Sequence, residues 1–368
     1  MIATMSKPVR YEPDYAVPPG VSLAELLDDR GMSQAELARR TGLSAKHINL
    51  VVKGSASISP DTALKLERVL GVPARVWSAL ETNYQGHLSR LDEARTLAEH
   101  AGWASKPLVK DLVARGCIDQ VASGVGQLRE LLNFFGVASV DAWNTVWSES
   151  APLAAYRLAK TAGDPVALGA WMRIGEIKAE TVATATFSRE SFELVLHEAR
   201  GLTRVQDPNV WLPQLQEICR SAGVVVIIEK EVPGARVNGI ARWLTPTKAL
   251  IELSARHLRD DILWFTFFHE GAHLLLHGKR SGPRDIPPTF IDTKDSSGRA
   301  EEEADAFASE LLIPAAESGR LARITSLNDV RQFALKLGVS PGIVVGRLHH
   351  DGLKPPNWGA GLIARYRW

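Results

Sequence analysis

The chain has 368 residues, 45% of them apolar and 23% charged, with a formal net charge of +1; those proportions exclude a disordered or fibrous protein. At roughly 100–200 residues per domain the length asks for two or three cores, and a near-neutral balance leaves any nucleic-acid contact to a local basic face. No stretch approaches the roughly 18 uninterrupted apolar residues of a membrane span, and the opening MIATMSKPVRYEPDYAVPPG lacks an apolar signal core, so a cytoplasmic protein without a membrane partner is expected.

After a lead over residues 1–19, the segment 20–82 reads as four or five short helices separated by Gly and Ser. In GMSQAELARRTGLSAKHINLVVKG, Ser33 caps a helix and Glu36 stands where it completes a reciprocal capping box. Ala38 and Gly42, four apart, supply the small contact residue and the left-handed turn of a helix-turn-helix. Ser44 then caps the second helix. Ile48, Val51 and Val52 turn that helix to the core, which leaves Ser44, Lys46, His47 and Asn49 on the side that would meet base edges. Arg39, Arg40 and Lys53 are placed to approach phosphates.

These residues resemble the phage-repressor-like (XRE-type) helix-turn-helix, especially its plasmid-maintenance antitoxin branch, over roughly residues 20–80. The resemblance implies operator double-stranded DNA as a partner and a homodimer on two half-sites about one helical turn apart.

Residues 83–205 continue as helices, among them Val125–Phe135 and Pro165–Thr181, with Trp103, Trp143, Trp147 and Trp171 expected in a core. Cys117 and Cys219 lack the spacing of a metal or redox motif; both are expected as small buried hydrophobes in a reducing compartment. From Gly223 the pattern changes. Gly223–Glu229, Val237–Leu244 and Lys248–Leu253 are rich in apolar and β-branched residues and read as a three-stranded meander. The last of them is either a fully paired strand or an exposed edge on which a substrate chain adds a strand.

A helix follows from about Asp260 to His277, carrying WFTFFHEGAHLLLHG. Its His269 and His273 are four apart, so both imidazoles share a face and can meet one metal ion. Glu270, beside the first, can take a proton from a metal-activated water and act as general base. A catalytic zinc needs a third protein ligand and an open position. Past a polar loop over 278–298, the helix Arg299–Leu312 opens with Glu301, Glu302 and Glu303. Glu301 shares a face with Asp305 and Ala308, which makes it the first choice as ligand and makes Asp305 the group that orients a ligand histidine. Glu303 is the second choice. His277 is expected to cap the helix or support a ligand.

FTFFHEGAHLLLHG followed by EEEADAFASELLIP resembles the ImmA/IrrE family of zinc-dependent metallo-endopeptidases. The resemblance implies one Zn²⁺ per chain on His269, His273 and Glu301, Glu270 as general base, and a repressor-type protein as substrate. Asp305 stands where the family often has asparagine. NFFGVASVDAW (133–143) and Ala170–Ala179 resemble the helical region found between these two modules. Residues 328–351 repeat the spacing of a helix-turn-helix in Ala334, Gly338 and Ser340, but read better as a packing unit covering the peptidase core.

The fold class expected is therefore multidomain, α plus α+β. An all-α helix-turn-helix domain (20–82) leads into a helical linking domain (83–205), a zincin-like α+β peptidase domain with a small antiparallel sheet (206–320), and a C-terminal helical subdomain (321–368). The function expected is a DNA-binding regulator fused to a zinc endopeptidase. The rival is an antitoxin-like autorepressor that also binds a toxin and keeps a structural or vestigial zinc site. No oxyanion-stabilising residue can be named; Tyr366 depends on tertiary placement.

Overall fold

The computed structural model describes residues 15–148, 163–256, 258–278, 289–292 and 298–367. The first 14 residues of the lead, and positions 279–288 and 293–297 of the expected 278–298 loop, lie outside the described residues. The chain divides into two compact units, residues 1–101 with 123–128, and residues 102–122 with 129–368.

In the first unit, helices α1 (Pro19–Asp29), α2 (Gln34–Thr41), α3 (Ala45–Val52) and α4 (Pro60–Leu70) lead into α5 (Ala74–Ala98). Leu23, Leu37, Ile48, Leu66 and Trp77 meet in the core, and each such side chain taken from water contributes about 1.5–3 kcal/mol. The caps follow the sequence. Ser33 accepts from the Glu36 N–H at 3.2 Å and Ser44 from the His47 N–H at 3.1 Å, while Gly42 makes the turn at φ 71°. One detail differs from expectation: the Glu36 carboxylate does not complete a capping box but accepts from Arg40 Nε at 2.6 Å and pairs with Arg39. Two guanidinium groups one turn ahead outbid a single backbone N–H.

The second unit begins with α6 (Lys106–Ala114), the end of α7 (Gly124–Phe135) and α8 (Val140–Trp143), which runs into a π-turn over Asn144–Ser148. Trp103, Phe135, Trp143 and Trp147 pack edge to face there, and with the fully buried Trp171 they serve the core role expected of the tryptophans. Helix α9 (Pro165–Glu180) is buried on most sides; α10 (Arg189–Leu202) and α11 (Pro208–Ser221) follow. Cys219 is fully buried and Cys117 half-buried, both free thiols.

Strands β1 (Val224–Glu229), β2 (Gly239–Thr245), β3 (Lys248–Ser254) and β4 (Thr289–Asp292) form a sheet in the order β1-β3-β2-β4. The mixed α and α/β class stands, but the meander does not. β3 pairs in parallel with β1 and antiparallel with β2, so the expected antiparallel three-stranded order is corrected to a mixed one. β3 is central, which removes it as an edge for an added substrate strand. Its Ala249, Ile251 and Leu253 face one core and Leu250 the other. A strand covered on both faces belongs inside a sheet, and its near-continuous apolar run is the sign of that. β4 was hidden in the expected polar loop.

One face of the sheet receives α12 (Asp260–Leu276), whose Trp264, Phe267 and Phe268 join Val226, Ala241 and Ile251 in the larger core. Helices α13 (Arg299–Leu312), α14 (Ala315–Ser318), α15 (Leu327–Leu337) and α16 (Pro341–His350) complete the unit. Tyr366 is buried there and accepts the Trp264 indole N–H at 2.8 Å. No helix among the described residues is long and apolar enough to cross a membrane.

Candidate metal centre and recognition helix

Helix α12 has no polar face, because its neighbours cover it nearly all round. His269 is 3% exposed and His273 and Glu270 are fully buried, so the helix is a dry, fixed platform for these three side chains. α13 lies alongside and brings Glu301 to both imidazoles. His269 Nε2 is 3.1 Å from His273 Nε2 and 3.2 Å from Glu301 Oε2, and His273 Nε2 is 3.5 Å from Glu301 Oε1. Two zinc bonds of about 2.0–2.1 Å meeting at a tetrahedral angle hold their donor atoms roughly 3.3 Å apart. The three separations bracket that figure, so the residues present fit a zinc ion.

The partners of the far ring nitrogens decide which atoms face the centre. His269 Nδ1–H donates to Asp305 Oδ1 at 2.9 Å, which leaves the Nε2 lone pair pointing inward. For His273 the arrangement has two steps. His277 Nε2–H donates to Glu303 Oε2 at 3.0 Å, and its Nδ1 faces His273 Nδ1 at 3.1 Å, where it accepts the His273 Nδ1–H. His273 is thereby held with Nε2 free for a ligand bond. Arg299 Nε in turn donates to Glu303 at 2.7 Å. The arrangement separates the two competing glutamates: Glu301 faces the histidines, and Glu303 is committed to His277.

Electrostatics agree. Burial pushes His273 below its usual value, which favours the neutral imidazole. Burial works against the charge of Glu301, but positive charge at the two inward-facing Nε2 atoms, as protons on the imidazoles or a metal ion in their place, outweighs it and holds its carboxyl low, at about 2. Glu270 lies against Gly239 of β2, where a Cβ would stand 3.1 Å from Glu270 Cγ and 2.6 Å from Thr266 Cγ2. Only glycine leaves room for that carboxylate. The Phe290 ring of β4 stacks on His273, with centroids 4.3 Å apart and planes 7° from parallel. Phe290 and Gly239 gave no signal in the sequence, whereas His277 did, through its spacing of four from His273.

On the second helix of the N-terminal hairpin, Ser44, Lys46 and Lys53 are exposed, and His47 and Asn49 are half-exposed. The Ser44 hydroxyl is used as a cap. Asn49 Nδ2 donates to Gln34 Oε1 at 3.3 Å, and Arg39 and Arg40 rest on Glu36. All these partners are solvent-accessible, so exchanging them for a ligand costs little.

The repeat of the motif near the C-terminus behaves differently. Ser340 is 4% exposed and donates to Asp260 Oδ2 at 2.7 Å. Gly342, Ile343, Val344, Val345 and Leu348 of α16 are buried. The face that would read DNA is a packing face, as expected for this segment.

Comparison with known proteins finds likenesses for two segments of the chain. A helix-turn-helix family model matches residues 23–77, and the model of the IrrE N-terminal-like domain, a peptidase family, matches residues 219–349. Virulence-associated protein I of Dichelobacter nodosus is 33% identical over 90 residues, 24% of this chain and 83% of that protein. Among solved structures, the antitoxin HigA of Pseudomonas aeruginosa with the higBA promoter is 29% identical, covering 22% of this chain and 89% of that one with a TM-score of 0.21. An addiction module antidote protein of a HigA family from Coxiella burnetii is 25% identical, covering 23% and 92%, with a TM-score of 0.21.

Proposed function

We propose, for a chain that belongs through its N-terminal part to the helix-turn-helix family and carries an IrrE N-terminal-like peptidase domain over residues 219–349, a DNA-binding transcriptional regulator that is also a zinc-dependent endopeptidase. The observation that carries this reading is the convergence of one donor atom each from His269, His273 and Glu301 within 4.8 Å of one another. Two imidazoles and one carboxylate suit zinc better than calcium or magnesium, which favour all-oxygen sets. The chemistry a zinc ion supplies when bound is Lewis-acid polarisation of water and of a peptide carbonyl.

The rest falls to the chain. His269, His273 and Glu301 hold the ion, and Asp305 and the His277–Glu303 pair keep both imidazoles in the ligating tautomer. Glu270, in its dry seat against Gly239, takes a proton from the attacking water at a carboxylate oxygen and passes it to the leaving amine nitrogen. Phe290 covers one face of His273 and shields it from solvent.

The region 20–82 reads operator DNA as a homodimer, with Ser44, Lys46, His47 and Asn49 towards base edges and Arg39, Arg40 and Lys53 towards phosphates. Residues 83–205 join it to the peptidase, 206–320, which the helices of 321–368 cover. The substrate is a repressor-type regulatory protein, cut to release gene expression; this class rests on the resemblance of the two motifs to the ImmA/IrrE family.

The test is to incubate the zinc-loaded chain with repressor-type proteins of the same genome, and with itself, and to identify products by mass spectrometry. Wild type cuts at one site, and Glu270→Gln lowers the rate by at least about 100-fold. Loss of all cutting in wild type, with DNA binding intact, returns the antitoxin-like autorepressor with a structural zinc site.

A further inference from the structure

In the first two turns of helix α12, two large apolar residues, Ile262 and Phe265, are left half covered by their neighbours. Both face a cavity of about 480 Å³ bounded by α12, α13 and α16. That volume falls within the roughly 300–1,000 Å³ of ligand pockets. Its walls are mainly apolar, with Leu312, Ile313 and Ile343 opposite Ile262 and Phe265. One end is Asp305, the residue that holds His269 at 2.9 Å and whose side chain is 59% exposed. The Phe265 ring centroid is 6.2 Å from that of His269. The cavity therefore lies beside the candidate metal centre, one helical turn towards the start of α12, and meets it through Asp305 and through Thr266, which shares the Gly239 seat with Glu270.

The charged groups on its walls are mostly satisfied within the chain. Asp261 accepts from Arg259 at 3.0 and 2.6 Å, and Arg347 donates to Asp351 at 2.8 Å. A charged occupant would have to compete with these pairs and give up its own hydration in an apolar chamber. A bulky uncharged side chain gains about 25 cal/mol for each Å² of apolar area it buries.

We propose that this cavity is the specificity pocket of the peptidase, receiving a large apolar side chain of the polypeptide substrate, such as phenylalanine, leucine or methionine, next to the bond that is cut. The inference rests on the endopeptidase reading above and adds what that reading leaves open, the residue class at the cleavage site. Gly346 permits the pocket's far wall: a Cβ there would lie 2.7 Å from Asp261 Cβ, so only glycine lets α16 approach α12 this closely. Ser309 of α13 lines the chamber with the smallest side chain among its α13 residues. It is the position from which the pocket can be filled without touching the histidines.

Two readouts on the full chain test this. In the first, a mixed peptide library is digested by wild type, Ser309→Trp and Ser309→Ala, with cleavage sites read by mass spectrometry. Wild type and Ser309→Ala prefer a bulky apolar residue beside the cut, and Ser309→Trp loses that preference by about 10-fold or more in favour of alanine or glycine. In the second, Glu270→Gln protein with labelled isoleucine methyls is titrated with N-acetyl-phenylalanine amide and N-acetyl-aspartate amide. The first ligand shifts Ile262 and Ile343 saturably, the second does not, and the shifts vanish in Glu270→Gln/Ser309→Trp. Cutting that ignores the flanking side chain, or a preference unchanged in Ser309→Trp, overturns the pocket and leaves the peptidase standing. Saturable shifts without any cutting by wild type remove the peptidase and the substrate assignment with it. No saturable shift from the phenylalanine amide overturns the pocket outright.

Discussion

The hairpins α2–α3 and α15–α16 share one local code: a small residue on the first helix (Ala38, Ala334), a left-handed glycine at the turn (Gly42 at φ 71°, Gly338 at φ 73°) and a serine cap on the second helix (Ser44, Ser340). Their uses are opposite. In α3 only Ile48 and Val51 are buried, and Lys46 stands in solvent. In α16 the position corresponding to Lys46 is Gly342, packed so closely on Asp260 that a Cβ would lie 2.3 Å from its carboxylate oxygens. The turn sets the angle between two helices, and the composition of the second helix decides whether its outer face reads a ligand or seals a core.

The comparison breaks most readily at Gly342. Gly342→Leu forces the helices apart at Asp260 and costs about 3 kcal/mol. The melting temperature measured by circular dichroism then falls by about 6–12 °C. The corresponding Lys46→Ala leaves the melt unchanged within about 1 °C, since its side chain packs on nothing buried.

A second difference is a pH dependence beneath the C-terminal hairpin, where α12 places the buried Asp260 against Ser340 and Gly342. Burial raises Asp260, against its hydrogen bonds with Ser340 and the backbone, to about 6 from an ordinary 3.8. A folded-state value above the unfolded one means that stability is fully present below about pH 4 and is lost as pH rises towards 6. Melts of wild type against Asp260→Asn across that window diverge by on the order of 2 kcal/mol, with the variant the flatter of the two. A wild type whose stability climbs relative to the variant between pH 4 and 6 has the opposite sign and contradicts this placement of Asp260.

The smallest effect sharpens the other half. Lys46→Ala weakens binding to the DNA upstream of the protein's own coding region by about 10-fold, within the roughly 1–3 kcal/mol of a base contact. Binding unchanged by Lys46→Ala, measured by fluorescence anisotropy, takes α3 out of the recognition role.

What the sequence made legible was local. That His269 shares a face with His273, and Glu301 with Asp305, follows from helical spacing, whereas the choice between Glu301 and Glu303 needed the packing of α13 on α12, which brings Glu301 to the two histidines. Caps and left-handed glycines are set by neighbours within four residues and were equally readable. Strand order was not, since parallel pairing of β1 with β3 depends on where the chain crosses between residues 230 and 238, and the apolar pattern of VVVIIE and ALIELS fits either order. Phe290 escaped notice because its four-residue strand is too short to show alternation and sits in a polar stretch. The choice of Glu36 for Arg40, and the cavity beside Phe265, depend on which side chains arrive from elsewhere or compete nearby.

The central claim is that His269, His273 and Glu301 form a zinc centre served by Glu270, and metal content tests it most directly. Inductively coupled plasma mass spectrometry on wild type, Glu270→Gln and His269→Ala, each shown to be folded, is predicted to find about one zinc per chain in the first two and a large loss in the third. Zinc absent from wild type, or retained in full by His269→Ala, contradicts the account.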